Sequence, residues 1–239
     1  MASFKITIKN RSINDHSFIL LQDIQVAGNI GQNNVFTNVY QSSPNVSGRG
    51  ASTEFVMKQQ YYAIHGTSSE TDDGSIRVNV SDSVPARLGP NGTIASVTTV
   101  DGDGTDPTWD RSQMANTTET KGSFELRADN TFNSPNHNQT YMGCGAPDPW
   151  TGEVIAVTTW LVQPGVTSQM IPRPKYFIAL GHFLPGVIVD RRSLGRVLTV
   201  DFAGAAIPSA TFTLTPDGTY QPDGQVAANG VKWSYGNIA

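Results

Sequence analysis

The 239-residue chain carries 16 basic and 20 acidic residues, a net charge of -4, and only 15% of it is charged while Gly (23) and Pro (14) are plentiful. That balance, with no basic cluster larger than Arg191, Arg192 and Arg196, argues against a nucleic-acid partner held by phosphate contacts. The single Cys144 excludes an internal disulfide and, without a Cys/His cluster, a zinc site, and no stretch approaches the roughly 18 apolar residues of a membrane helix, so a soluble chain with no transmembrane segment is expected.

The chain opens on MASFKITIKN, which alternates apolar with polar residues and lacks the continuous apolar core of a secretory signal; a cytoplasmic place is expected over a secreted one. Phe4, Ile6 and Ile8 fall on one side of an extended segment and Lys5, Thr7 and Lys9 on the other, the period of a strand with one wet face and an antiparallel neighbour. After polar turn material at 11–17, the short apolar run from Phe18 to Leu21 reads as a core strand, and 28–34 as a Gly- and Asn-rich loop. Residues 35–41 are β-branched and aromatic, and Pro44 stops them; a Gly/Ser loop leads to a strand at 53–57. Tyr61-Tyr62-Ala63-Ile64 is apolar on both faces, as a strand covered on two sides requires. Strands at 75–80 and 94–100 follow, and the Asp-, Thr- and Gly-rich segment 101–121 reads as a loop or linker. Beyond it, strands are predicted at 124–128, 154–162, 175–180, 187–189, 196–202, 210–214 and 231–235. No run of ten or more residues carries a helical period with caps. Sequons at Asn10, Asn45, Asn79, Asn91, Asn116 and Asn138 are expected by accident in so Asn- and Thr-rich a chain, and without an export signal glycosylation is not expected.

The two halves echo each other. Tyr61-Tyr62-Ala63-Ile64-His65-Gly66 returns as Tyr176-Phe177-Ile178-Ala179-Leu180-Gly181, and the segment from Ser3 to Asn10 as Ser123 to Asn130. Tyr40 with Pro44 and Val46 is answered by Trp160 with Pro164 and Val166, and Thr99 with the turn Asp103-Gly104-Thr105 by Thr213 with Asp217-Gly218-Thr219. Landmarks kept in one order at offsets of about 114 to 120 residues argue for a tandem duplication. The expected fold is all-β: two antiparallel, sandwich-like units, 1–120 and 121–239, related by a pseudo-twofold axis and either side by side or sharing one core.

Duplication supplies an internal control, because a polar residue in one copy that faces an apolar residue in the other needs a reason of its own. His65 against Leu180 is the case it selects, a group that could orient a ligand or move a proton near neutral pH, or else a satisfied core histidine. His182, with Asp190 and Arg191 downstream, could form a base held by a carboxylate beside a cation for an anionic substrate. Tyr40, Tyr62 and Trp160 are core aromatics or the lining of a ligand site. Asp101, Asp103, Asp106 and Asp110 are dense enough for oxygen ligation of Ca²⁺, although the Gly placement and the missing distal Glu exclude an EF-hand loop. Cys144 has no basic neighbour to activate it, and no nucleophile elbow, P-loop, dinucleotide fingerprint or His-Glu-x-x-His is present, so no organic cofactor is expected.

The first expectation is a binding protein for a small molecule, glycan or lipid, at loops or in the groove between the repeats. A cofactor-independent isomerase or cyclase with His65 or His182 as acid/base is the second, and a structural or self-assembling β protein the third.

Overall fold

The computed structural model describes residues 3–31, 34–100, 102, 105–114, 116–134, 136 and 139–237. The first half forms β1 (Ser3–Asn10), β2 (Phe18–Gly28), β3 (Phe36–Asn38), β4 (Gln41–Ser42), β5 (Ala51–Lys58), β6 (Tyr61–Glu70), β7 (Ile76–Ala86), β8 (Gly92–Thr99), β9 (Pro107–Trp109) and β10 (Thr117–Thr118). The second forms β11 (Phe124–Ala128), β12 (Tyr141–Pro147), β13 (Val154–Leu161), β14 (Thr167–Leu180), β15 (Ile188–Val189), β16 (Arg196–Asp201), β17 (Ser209–Leu214), β18 (Tyr220–Pro222) and β19 (Lys232–Asn237). A 3-10 turn at Arg191–Leu194 and a single helical turn, α1 (Gln225–Ala228), are among the other described elements.

The strands make three sheets packed together in a sandwich-like all-β fold, as the composition and alternation predict. The first has the order β18-β17-β1-β5; the second β10-β8-β11-β14-β16-β19, with β2 also on β14, β4 on β2 and β9 on β8; the third β15-β3-β13-β12-β6-β7. The alternation of β1 is realised, with Phe4, Ile6 and Ile8 buried and Lys5 exposed. β1 runs antiparallel to β5 but also parallel to β17, and β11 is likewise antiparallel to β14 and parallel to β8, so the sheets are not wholly antiparallel.

Every sheet draws strands from both sides of residue 120: β1 pairs with β17, β8 with β11, β2 with β14, β3 with β13 and β6 with β12. One cluster of buried side chains joins Phe4, Phe55 and Phe212 to Phe18, Phe124 and Ile178 and on to Met142 and Trp160. The halves therefore share one core. The segment 101–121, expected as a loop or linker, holds β9 and β10, both laddered onto β8.

β12 forms where the sequence pattern suggests no strand. All seven of its residues are buried between β6 and β13, and its glycines are there because a Cβ on Gly143 would stand 2.0 Å from the Thr158 carbonyl oxygen. β14 extends the expected 175–180 strand back to Thr167 in spite of Pro172 and Pro174. The ladder to β2 slips between Pro172 and Tyr176, a bulge that absorbs the missing N–H donors. β7 likewise runs on through Pro85, at the outer edge of its sheet where a lost donor costs little.

Candidate functional site

The echoed motifs lie in β6 and at the end of β14, with Tyr61 and Tyr176 both buried. At the position where they differ in polarity the burial is the reverse of expectation: His65 is 3% exposed and Leu180 43%. His65 stands opposite Met142 on β12 and Asp82 on β7, and its ring packs on Trp109 with centroids 4.9 Å apart and planes at 59°. Among the described residues neither imidazole nitrogen has a hydrogen-bond partner, nor has Trp109 Nε1. Burial lowers the His65 pKa below its ordinary 6.5, and the Asp82 carboxylate pulls it back part of the way. The residue is a neutral imidazole sealed into the core against an indole.

The other members of the acid/base proposal are not brought together. His182 is exposed and lines a shallow pocket of ≈ 230 Å³ with Thr71, Asp72, Asp73, Leu184 and Val187. Asp190, expected to hold it, instead caps the 3-10 turn by accepting a hydrogen bond from the Arg192 amide at 2.9 Å. Tyr40 is buried, donates its hydroxyl to the Pro147 carbonyl at 2.8 Å, and burial raises its phenol well above the ordinary range. Trp160 is fully buried opposite Met142, with its indole N–H unpartnered. Tyr62 is half-buried beside the small cluster of Ile64, Val78, Tyr141 and Ala156, and its hydroxyl accepts from Gln60.

In the acidic run, Asp101 and Asp103 lie outside the described residues, as does the sequon Asn138. Asp106 is exposed, and Asp110 closes its own turn by accepting from the Ser112 amide at 3.0 Å and hydroxyl at 2.6 Å. Among the described residues no group of three or more His, Cys, Asp or Glu is arranged to hold a metal ion. Cys144 is wholly buried on β12, and burial pushes its thiol far up.

Arg191 belongs to a different constellation. A cleft of ≈ 450 Å³ opens between β2 and β3 of the first half and β13, β14 and the 3-10 turn of the second, lined among others by Asp23, Gln25, Val35, Thr37, Thr158 and Arg191. The alternation of Gln22-Asp23-Ile24-Gln25-Val26 builds one wall: Ile24 and Val26 turn into the core and Asp23 and Gln25 away from it. Asp23 faces the β14 bulge, because its neighbours Gln22 and Ile24 pair with Tyr176 and Pro172. Its carboxylate, with the side chain only 15% exposed, lies 3.8 Å from Lys175 Nζ and 3.9 Å from Arg191 Nη1. Both cations also sit over the Phe177 ring, 5.4 Å from its centroid. These separations are ion-pair distances, beyond the 2.7–3.2 Å of an N–H···O bond, and no hydrogen bond joins Asp23 to either cation. A half-sunk acceptor and a donor fork thus face each other with hydrogen-bonding capacity to spare.

A second cleft, of ≈ 440 Å³ between β7 and the start of β13, lacks this feature. There Arg77 donates to the Pro185 carbonyl at 3.0 Å, Asn79 to Ser69 at 2.9 Å, and Asp82 accepts from the Ser83 amide at 2.7 Å. Asp23 and Lys175 were not selected from sequence, yet a signal existed: a carboxylate inside a run of otherwise apolar and amide residues, on the outward beat of a period-2 pattern.

Among protein families, the model described as RhiA matches residues 1–222. No curated protein and no solved structure matches the chain.

Proposed function

We propose, for a chain that belongs to the RhiA family, a role as a soluble binding protein that takes a small polar molecule into the cleft between its two halves. The observation that carries this reading is the Asp23–Arg191 pair, 3.9 Å apart and not hydrogen-bonded to each other, in the lining of a ≈ 450 Å³ cleft. That volume falls within the few hundred to about 1,000 Å³ of small-molecule sites. The charged and amide groups of the lining favour a small polar molecule over a lipid. The acid/base alternative loses support, since His65, His182 and Asp190 occupy three separate places.

We also read the chain as a tandem duplication whose units have exchanged strands, and the strand pairings support it. β1 with β5 corresponds to β11 with β14, β6 with β7 to the end of β14 with β16, and β8 with β9 to β17 with β18. The crossings between halves correspond too: β1 with β17 to β11 with β8, and β2 with β14 to β12 with β6. On this register one sequence equivalence needs revision. Met142, opposite both His65 and Trp160, answers to Phe18, whose partner is Ser43, so Trp160 corresponds to Ser43 and not to Tyr40.

The test is a thermal-melt screen of the full chain against sugars, amino acids, lipids and aromatic compounds, repeated on Arg191→Gln and Asp23→Asn. A ligand at 100 times its dissociation constant should add about 2.7 kcal/mol of stability, and both substitutions should remove that gain. A ligand whose stabilisation survives both would place binding elsewhere on the molecule.

A further inference from the structure

We infer that the cleft's ligand is a neutral saccharide, held by a vicinal diol that bridges the carboxylate of Asp23 and the guanidinium of Arg191; this rests on the reading of the cleft as the binding site.

The donor and acceptor inventory drives the choice. An ionised Asp only accepts hydrogen bonds and Arg only donates them, whereas a hydroxyl does both. Of two adjacent hydroxyls, one donates to the Asp23 carboxylate while its neighbour accepts from the Arg191 fork, and both contacts are of the stronger charge-assisted kind. A 3.9 Å separation keeps the two side chains from satisfying each other while leaving both within reach of one ligand group.

Charge then selects against the obvious rivals. Of the two cations only Arg191 lines the cleft, so a carboxylate or phosphate that approached it would also approach Asp23, which is 15% exposed and poorly screened by water. An ammonium that approached Asp23 would meet both Lys175 and Arg191. A neutral diol adds hydrogen bonds and leaves the ion triad intact. Around this point the walls offer what a sugar ring presents elsewhere: the hydroxyls of Thr37 and Thr158 and the amide of Gln25 for further hydroxyls, and the methyl groups of Val35 and Ile171 for C–H faces. Among the described residues no aromatic ring lines the cleft, so stacking of the kind that strengthens many sugar sites is not supplied by them and affinity should be modest.

Isothermal titration of the full chain decides the matter, with glucose, galactose, mannose, maltose, lactose and cellobiose as neutral probes and glucuronic acid and glucosamine as charged counterparts. At least one neutral probe is expected to bind, its acidic and amino counterparts at least about tenfold more weakly, with Arg191→Gln and Asp23→Asn each costing about tenfold or more. Circular dichroism and melting temperature confirm that the variants fold. Tighter binding of a charged counterpart that is lost in Arg191→Gln would overturn the ligand class and leave the site standing. Neutral-sugar binding unaffected by both substitutions would overturn the site, and an absence of binding by every neutral probe at 10 mM would overturn the saccharide inference itself, while a hit of another class in the melt screen, lost in both variants, would still keep the site.

Discussion

Replacing His65 by Leu should stabilise the protein and flatten its response to mild acid. The imidazole is 3% exposed with both nitrogens unpartnered, and a buried polar group left unsatisfied costs about 1–3 kcal/mol. Its contact with the Trp109 ring returns about 0.5–1.5 kcal/mol. Leu is close to His in volume and carries no polar atom, so at pH 7.5 the substitution should gain about 1 kcal/mol, or about 2–4 °C in melting temperature for a chain of this size. The pH dependence has a definite sign. Burial lowers the folded-state pKa below 6.5, so between the two values the unfolded chain binds more protons and stability rises with pH. Wild-type stability is complete above pH 6.5 and is lost as pH falls through the folded-state pKa, by about 1.4 kcal/mol for each unit by which that pKa is depressed. Urea denaturation of both proteins from pH 7.5 to 5 measures this directly. Parallel stability curves for wild type and variant, or a variant more than 1 kcal/mol less stable at pH 7.5, would refute the placement of a neutral, unpartnered imidazole in the core.

Two further outcomes test the shared core. Cys144 is wholly buried on β12 with its thiol pushed far up, so a thiol reagent at pH 8 should label the native protein only at the rate at which it unfolds; rapid stoichiometric labelling of the folded chain would contradict that burial. A protease site inserted in the turn at 111–114 should give, after cleavage, two fragments that co-elute as one species, because six strand pairings among the described residues cross between the halves. Separation of the fragments under native conditions would falsify the shared core.

Where apolar and β-branched residues run together the fold was legible in the sequence: β1 and β17 alternate and lie close to where they are expected, and β13 and β16 lie close to their expected places as largely buried runs. It was illegible where backbone crowding replaced patterning. β12 reads as Tyr-Met-Gly-Cys-Gly-Ala-Pro, buried on both faces and narrowed to glycine at Gly143 and Gly145, so neither alternation nor β-branched content marks it. Pro172 and Pro174 suggest a break in β14, and only the bulge opposite Asp23 reconciles them with a continuous strand. The candidate site was less legible still, because Asp23 lies in the other half of the chain from Lys175 and Arg191 and meets them only through the β2–β14 ladder and the 3-10 turn.

If the two halves are copies as proposed, the polar contrast between them falls first on a residue that the core, and not a site, explains. His65 differs from Leu180 in polarity, but the polar member is sealed inside and the apolar member faces out, so the contrast marks a local packing exchange. Extended along β2 and β12, the same comparison gives a sharper contrast. Phe177 opposite Leu21 answers to Tyr62 opposite Gly145, and two residues further along the strand Asp23 corresponds to Pro147. The carboxylate of the triad thus stands where the other unit has a buried proline whose carbonyl receives the Tyr40 hydroxyl, and Lys175 stands where the other unit has Gln60. On the proposed duplication the fold requires neither charge, since the other half packs at the corresponding positions without them. On that same proposal, an ion triad that holds unsatisfied hydrogen-bonding capacity in one half alone is the feature that a ligand of the cleft would explain and that the fold does not need.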